Sequence, residues 1–477
     1  MFHLKSSYFW ILLIVISSTS INLQGQQKSK PNILFIFADD QNFNTINALG
    51  GYEVITPNLD QLSTNGVSFS NSFNMGGWGG AVCIASRTML LTGKYIWNAK
   101  KANQLMAKNS YKTPVWSELM DGYDTYMTGK WHIKKPAEEV FKNTTHVRPG
   151  MPNQTATGYN RPLHKNDTLW KPWDTSKEGF WKGEKHWSEV LADDATNFIH
   201  EASKKDTPFF MYLAFNAPHD PRQSPKEYVD MYSLENISIP ENFLTEYPYN
   251  EAMGAGRKLR DEQLAPFPRN EYAVKVNRQE YYASITHMDA QIGKIIKALE
   301  ESGKLESTYI IFAADHGLAV GQHGLMGKQS MYDHSIRAPL IILGPEIPKN
   351  KKVNADVYIQ DIMPTVLELA NVKKPEFVEF HSFLDLAKLR QSESNYTSIY
   401  GCYMKTQRMI RSNGYKLIVY PTAKKMRLFN LENDPNEMYD LAEKPEYQSL
   451  KLKLFQELLT LQEDMNDPLN LENYFLN

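Results

Sequence analysis

Long apolar segments that end in acidic or polar residues recur along the chain. Pro31–Asp40 reads PNILFIFADD, an apolar run that ends in two aspartates. Phe209–Phe215 is a second apolar run, and Tyr309–Ala314 is a third, followed directly by Asp315 and His316. Continuous apolar runs of this length predict strands that are buried on both faces of a parallel sheet.

Helical patterns alternate with these strands. The spacing of apolar residues predicts helices over Thr56–Asn71, Thr113–Gly122 and Glu280–Ser302. This alternation predicts an α/β fold, with a large, mostly parallel sheet flanked by helices. Ligands of such sheets gather beyond the carboxyl ends of the strands. The acids and histidines that follow the apolar runs are therefore candidates for a functional site.

Residues 141–190 depart from this alternation. They are rich in Asn, Thr, Lys and Trp, show little periodicity, and predict long loops over the edge of the sheet. The pattern leaves open whether the tryptophans of this stretch pack within the loops or in the core. They are Trp170, Trp173, Trp181 and Trp187.

The pattern changes again from about Asn395, where short strand-like pieces such as Tyr415–Tyr420 precede a final helix over Tyr447–Met465. We therefore expect a catalytic domain over residues 26–390 and a smaller C-terminal α+β subdomain over residues 391–477.

The first residues resemble a secretion signal, which we assign to residues 1–25. His3 and Lys5 are followed by an apolar run over Tyr8–Ile16, which is too short to cross a bilayer as a helix. A buried helix of the mature fold is the alternative. No later run approaches the length of a transmembrane helix. We expect a secreted or periplasmic protein without a membrane span.

Composition narrows the possible partners. Of the 477 residues, 42% are hydrophobic and 22% are charged, and the formal net charge is -2. Without a dense Lys/Arg block, the chain is not expected to bind nucleic acid, and local cations must hold any anionic substrate. The two cysteines, Cys83 and Cys402, could form one disulfide. The residues around Cys83 favour another interpretation.

Cys83-Ile84-Ala85-Ser86-Arg87, followed by Thr92-Gly93-Lys94, is the strongest motif in the chain. It resembles the signature of the type I sulfatases, Cys-x-Pro/Ala-x-Arg followed by Leu-Thr-Gly. Further pieces of the resemblance extend from Pro31 to Leu441. They are TPNLDQL at Thr56, TGKWH at Thr128, DHG at Asp315, GLMGK at Gly324 and LFNLENDPNE at Leu428.

The resemblance implies the alkaline phosphatase-like fold and oxidation of Cys83 to formylglycine, an aldehyde, by a separate maturation enzyme. Ala85 stands where most of the family has proline, which leaves open which maturation enzyme acts. A hydrated aldehyde has two hydroxyls on one carbon. One hydroxyl can attack sulfur, and the other can then lose a proton and expel sulfate, whereas a serine sulfate would be stable.

The resemblance assigns Asp39, Asp40, Asp315 and His316, together with the modified Cys83, to one divalent cation, normally Ca²⁺. Carboxylates at strand ends suit a hard cation that prefers oxygen ligands. Imidazole favours softer metals, so His316 could instead lie behind the ligands.

The resemblance also implies roles for five cationic or titratable residues. Arg87 braces the hydrated aldehyde, Lys130 and His132 contact its hydroxyls, and His132 takes a proton when sulfate leaves. His219 is the acid for the departing alcohol, and Lys328 binds sulfate. Four neighbours could shape the substrate site, but nothing in the sequence singles them out. They are Asp220, Arg222, His323 and His334.

The sequence therefore predicts a sulfuric ester hydrolase that acts on a sulfated carbohydrate, such as the algal polysaccharide ulvan or a glycosaminoglycan. Secretion and the Trp-rich loops favour a sugar, and His219–Pro225 is similar to sulfatases of polysaccharide-degrading bacteria. The alternatives are a phosphoester or phosphonate hydrolase of the same superfamily and a catalytically silent carbohydrate-binding relative.

Overall fold

The computed structural model describes residues 30–148, 150, 156–159, 162–181 and 185–475. The predicted signal peptide lies outside the described residues. None of the helices in these ranges combines the length and the apolar character that a bilayer crossing requires.

The described elements alternate along the chain as the sequence predicts. The strands are β1 (Asn32–Ala38), β2 (Val67–Phe69), β3 (Ser72–Phe73), β4 (Gly76–Gly77), β5 (Asp124–Lys130), β6 (Asn143–Arg148), β7 (Phe180–Trp181), β8 (Lys185–His186), β9 (Phe209–Ala214), β10 (Thr308–Ala314), β11 (Leu340–Leu343), β12 (Lys351–Val353), β13 (Val357–Tyr358), β14 (Ile399–Tyr403), β15 (Gln407–Ser412), β16 (Tyr415–Tyr420) and β17 (Lys425–Asn430). The helices are α1 (Pro57–Asn65), α2 (Val82–Thr92), α3 (Ile96–Met106), α4 (Ala156–Tyr159), α5 (Trp187–Ser203), α6 (Lys226–Asp230), α7 (Glu271–Glu301), α8 (Asp333–Ile336), α9 (Ile362–Leu369), α10 (Leu384–Ala387), α11 (Gln448–Asp464) and α12 (Glu472–Phe475).

The main sheet has eight strands among the described residues, in the order β12-β2-β11-β10-β1-β9-β5-β6. Only β11 runs against its neighbours, so the prediction of a mostly parallel sheet is confirmed. Every residue of the central strand β1 is buried, as its uninterrupted apolar run requires. Because Ala38 pairs with Ala314 of β10, the residues after both strands meet at one edge.

The helices pack in two groups, one formed by α1, α5, α6 and α7 and the other by α2, α3, α9 and α10. Helix α7 begins earlier than the predicted Glu280, at Glu271, where the Asn270 side chain accepts a hydrogen bond from the Ala273 amide. The early turns of α7 include buried polar residues such as Asn277, which hide its helical periodicity in the sequence.

Two predicted helices are wrong in part. Helix α1 ends at Asn65, and the chain then forms β2 instead of continuing to Asn71. A side chain at Gly66 would overlap the backbone of Ile342, so glycine is needed where the chain passes β11. The segment predicted as a helix over Thr113–Gly122 has a single 3₁₀ turn, Trp116–Leu119, and the Trp116 ring is fully buried in the core.

The C-terminal strands form a second sheet, in the order β17-β16-β15-β14-β4, on which α11 packs. Strand β4 lies just before Cys83 in sequence and pairs with β14 through Cys402 and Gly76. The C-terminal sheet therefore holds the loop that leads to the signature motif. Both cysteines are free, so the disulfide alternative is wrong. The boundary between residues 390 and 391 stays a prediction.

The stretch predicted as loops over the sheet edge also contains β6, the outermost strand of the main sheet, and the start of α5. All four of its tryptophans are half-buried. Trp181 and Trp187 pack against each other with their ring centroids 4.7 Å apart.

Candidate active site

The ends of β1 and β10 bring four potential metal ligands together. Asp39 and Asp40 follow β1, Asp315 and His316 follow β10, and all four are completely buried. The Asp40 amide donates a hydrogen bond to Oδ1 of Asp315 at 3.1 Å, which joins the two strand ends. Each residue offers one ligand atom within 4.8 Å of the others.

The chemistry of this cluster fits a bound cation. Oδ1 of Asp39 and Nε2 of His316 are buried without a hydrogen-bond partner among the described residues. Burial and the neighbouring Asp39 carboxylate raise the pKa of Asp315 to about 7, although His316 and Arg87 oppose the shift. Oxygen ligands crowded in this way are typical of hard divalent cations.

The first turn of α2 places Cys83 beside His132, with 3.3 Å between Sγ and Nδ1. Arg87 lies one turn further along α2, where it is fully buried. Its Nε donates to Oδ2 of Asp315 at 3.2 Å, and it also donates to the Lys130 carbonyl at 3.0 Å. This arginine therefore fixes the signature helix against the strand ends.

Two lysines make the surroundings of Cys83 electropositive. Lys130 pairs with Asp39, and Nζ of Lys328 lies 2.7 Å from Oδ2 of Asp40. Burial alone would raise the pKa of the Cys83 thiol, but the two ammonium groups and hydrogen bonds from histidines hold it well below its usual range. The position therefore stabilises negative charge, as a nucleophilic oxygen and a sulfate group require.

His132 is suited to accept a proton. Burial lowers its pKa, and Lys130 adds to this effect, although Cys83 opposes it. The imidazole is therefore neutral near pH 7, and its Nδ1 faces position 83. A neutral imidazole within hydrogen-bonding distance of the reacting group is the requirement for a general base.

His219 has the opposite environment. Its Nδ1 pairs with Asp220, and its Nε2 lies 2.8 Å from Nζ of Lys328 and 3.6 Å from Oδ2 of Asp40. Burial alone would lower the pKa of His219, but Asp220 and Asp40 raise it to about 10. The two carboxylates therefore favour the protonated form that a general acid needs, and the close Lys328 ammonium opposes it.

A family model described as Sulfatase matches residues 31–372, nearly all of the main sheet and every residue named in this site. The chain belongs to the sulfatase family. The enzyme hydrolyses sulfate esters, as the signature motif predicts. A second model, described as N-sulphoglucosamine sulphohydrolase, C-terminal, matches residues 321–464 of this sulfatase.

Two sequence relatives align with most of this chain. This sulfatase is 28% identical over 472 residues to an "Ulvan-active sulfatase" of Formosa agariphila, with 95% of this chain and 85% of the relative covered. It is also 28% identical to an "Arylsulfatase" of Clostridium perfringens, with 88% and 91% covered.

Solved structures support the alkaline phosphatase-like sulfatase fold. One, a complex of a protein with its substrate D-glucosamine-2-N,6-O-disulfate, superposes with a TM-score of 0.73 at 21% identity, covering 92% of this sulfatase and 99% of that chain. A phosphonate monoester hydrolase from Silicibacter pomeroyi superposes with a TM-score of 0.72 at 19% identity, covering 91% and 95%. These likenesses concern the fold.

The structure of the sulfatase brings all the predicted site residues together. A cavity of about 300 Å³ opens onto Cys83, His132, His219 and Lys328. Arg87, Lys130 and the four strand-end residues lie behind this cavity and are completely buried.

The four undecided neighbours separate into three cases. Asp220 pairs with His219 and belongs to the site. Arg222 donates to Oδ1 of Asn277 at 2.8 Å, away from the cavity lining. His323 and His334 lie beside the Tyr332 ring, and His323 stacks on it at 3.9 Å, so they serve the junction with the C-terminal sheet.

The sequence interpretation missed further residues of the cavity wall. Arg260, Asp261 and Gln329 line it, and Asp261 binds both of the others. Gln329 could have been found from its position next to Lys328. Arg260 and Asp261 follow no apolar strand, so the sequence carries no comparable signal for them.

Proposed function

We propose that this sulfatase removes sulfate from a sulfated carbohydrate through a formylglycine made from Cys83. The observation that carries this proposal is the position of Cys83, which faces a substrate-sized cavity beside a neutral base, a protonated acid and two lysines. The ulvan-active relative and the neighbour with a sulfated glucosamine support a carbohydrate. The half-buried tryptophans of residues 162–187 add surface on which sugar rings can stack.

The residues around position 83 divide the proton transfers between them. His132 takes a proton from the group at position 83, because it lies next to it and is neutral. His219 protonates the bridging oxygen of the departing alcohol, since the Asp220 and Asp40 carboxylates favour its protonated form. Lys328 binds the sulfate oxygens, and Lys130 contacts the hydroxyls at position 83. The hydrated aldehyde at position 83 would supply the attacking hydroxyl and a second hydroxyl that releases sulfate.

Asp39, Asp40, Asp315 and His316 would hold one divalent cation, together with the modified Cys83. Because three of these side chains are carboxylates, we assign the site to Ca²⁺. The cation would orient the nucleophile and neutralise sulfate oxygens. Oδ1 of Asp39 and Nε2 of His316, both buried without a hydrogen-bond partner among the described residues, support this ligand set.

The proposal includes processing of the chain. Residues 1–25 would direct export to the periplasm or the medium. A formylglycine-generating enzyme would act on Cys83 before folding buries it, since the folded protein leaves this residue only 2% exposed. Residues 26–390 would carry the reaction, and residues 391–477 would support the loop before Cys83.

The test is a desulfation screen on defined sulfated oligosaccharides, using protein whose aldehyde content has been measured. Matched sulfate, phosphate and phosphonate esters of one alcohol form the comparison. We expect sulfate release from an oligosaccharide with a higher kcat/KM than for the other two esters. Faster phosphate or phosphonate turnover would contradict the proposal. Sugar binding by a protein with unmodified Cys83 and no turnover would indicate a silent relative instead.

A further inference from the structure

Arg148, the last residue of β6, is a buried cation beside the active site. It is 9% exposed, and its guanidinium lies 3.6 Å from the centroid of the Trp187 ring. One of its terminal nitrogens donates a hydrogen bond to Oδ1 of Asn216 at 3.2 Å. No other side chain among the described residues is a hydrogen-bond partner of this guanidinium.

Arg148 and Arg222 differ from the other deeply buried arginines of the described residues. Arg87, Arg269 and Arg408 each form an ion pair with a carboxylate. None of the described carboxylates forms an ion pair with Arg148. Burial lowers the pKa of Arg148 to about 9, although the charge of Glu178 opposes this in part. A buried guanidinium without a counter-charge is costly unless an anionic ligand supplies one.

The guanidinium faces a small cavity next to the catalytic one. Trp187, Asn216 and His219 line this cavity with Arg148, and His219 also lines the catalytic cavity. The volume is about 30 Å³, which is enough for water molecules or for one oxyanion group but not for a sugar ring. A ligand group would therefore enter it as a substituent while its sugar stays in the catalytic cavity.

A short series of contacts joins Arg148 to the nucleophile. The Arg148 carbonyl accepts a hydrogen bond from the Trp131 amide at 2.8 Å, and Trp131 lies between Lys130 and His132. Asn216, which binds Arg148, also donates to the Gly150 carbonyl at 3.0 Å. Gly150 lies against the His132 ring, and a side chain there would press on this ring.

We propose that Arg148, held by Trp187 and Asn216, binds a second oxyanion of the substrate while the first is hydrolysed at position 83. The second oxyanion is the carboxylate of a uronic acid or a second sulfate, because a guanidinium binds both with paired hydrogen bonds. This inference rests on the proposed function and narrows its substrate to sugars with two anionic groups. Trp187 restricts the plane of the guanidinium, which favours one orientation of the sugar.

The experiment compares substrates that differ in one anionic group. They are p-nitrophenyl sulfate, a sulfated uronate disaccharide, its carboxyl-reduced form, and a disulfated disaccharide with its monosulfated counterpart. For each enzyme the readout is kcat/KM on the sugar divided by kcat/KM on p-nitrophenyl sulfate. We expect the wild-type ratio to fall when the second anion is removed. A fall on carboxyl reduction identifies a carboxylate as the bound group, and a fall on loss of the second sulfate identifies a sulfate.

Two variants remove the charge in different ways. Arg148→Gln deletes the cation, and Asn216→Asp neutralises it with little change of shape. Each should lower the ratio on the preferred dianionic substrate by about 10- to 100-fold, mainly through KM, since hydrogen bonds between charged groups contribute that much. Arg148→Lys should recover part of the loss. Arg278→Gln is the matched control, because Arg278 also lies over an aromatic ring but pairs with Glu53.

The ratio of kcat/KM on the sugar to kcat/KM on p-nitrophenyl sulfate tests the proposal. Equal losses on the dianionic sugar and p-nitrophenyl sulfate, in both variants, would overturn it. The proposal is also overturned if the wild-type kcat/KM ratio does not change when the second anion is removed. That result would leave the proposed function in place. If wild-type protein with a confirmed aldehyde cleaves no sulfated sugar, the proposed function itself fails.

Discussion

Nζ of Lys328 lies 2.8 Å from Nε2 of His219, and both groups face the Asp40 carboxylate. The residue that we propose to bind sulfate therefore contacts the residue that we propose to protonate the departing alcohol. One end of the ester can be held by the lysine while the bridging oxygen lies against the histidine. The carboxylate raises the pKa of each group, although the Lys328 charge lowers the pKa of His219.

Replacing Lys328 should therefore impair catalysis more than it impairs folding. Lys328→Met removes the cation but keeps much of the side-chain volume. We expect kcat to fall by about 10²- to 10³-fold, the usual effect of losing one group that stabilises transition-state charge. Lys205→Met is the control, since Lys205 pairs with Asp124 at the surface. Steady-state kinetics that show similar losses in both variants would contradict the role.

Asp220 should act as a positioning residue for His219. Asparagine at position 220 keeps the shape but removes a negative charge that raises the pKa of His219. The pKa of His219 should then fall, so the alkaline limb of the pH profile of kcat/KM should move to lower pH. The effect should be larger for sugar sulfates than for p-nitrophenyl sulfate, because a sugar alkoxide leaves poorly without a proton. An unchanged pH profile would contradict this role.

Removal of the cation should affect both activity and stability. A chelator would leave Asp39, Asp40 and Asp315 crowded without their counter-ion. We expect lost activity and a lower Tm, both restored by Ca²⁺, because a ligand that binds the folded state stabilises it. In Asp315→Asn, the increase of Tm on adding Ca²⁺ should shrink. If neither the Tm nor the activity changes on adding chelator or Ca²⁺, a required cation is excluded.

Asp289 should stabilise the fold without taking part in the reaction. Its buried carboxylate accepts hydrogen bonds from the amides of Asn58 and Leu59 at the start of α1, at 3.1 Å and 2.7 Å. Asp289→Ala should lower the free energy of unfolding by about 1–3 kcal/mol, because it leaves these donors without a partner. Asp289→Asn, which retains one acceptor, should lose less. Denaturant unfolding gives both values, and equal stability of Asp289→Ala and wild type would contradict the role.

The sequence predicts the part of the site that belongs to regular strands. Strands β1 and β10 are continuous apolar runs, so their ends, and the acids Asp39 and Asp315 after them, could be located directly. The resemblance at Cys83 supplied the other candidate residues, and the structure places them around one cavity. Their individual roles stay proposals.

Features that depend on contacts between distant segments could not be predicted. Trp116 looks like part of a helical pattern, but its segment forms one 3₁₀ turn with the ring buried in the core. Arg148 lies in a stretch without periodicity, and its surroundings come from Trp187 and Asn216 on other elements. No local pattern distinguishes such a residue from a surface arginine.

The central claim is that the nucleophile is made from Cys83, and its most direct test combines mass spectrometry with kinetics. Preparations with different degrees of maturation should be assayed after the aldehyde fraction at position 83 has been measured in each. We predict that kcat for sulfate ester cleavage rises in proportion to this fraction and that Cys83→Ala is inactive. Undiminished cleavage by Cys83→Ala, or cleavage that does not vary with the aldehyde fraction, would contradict the claim.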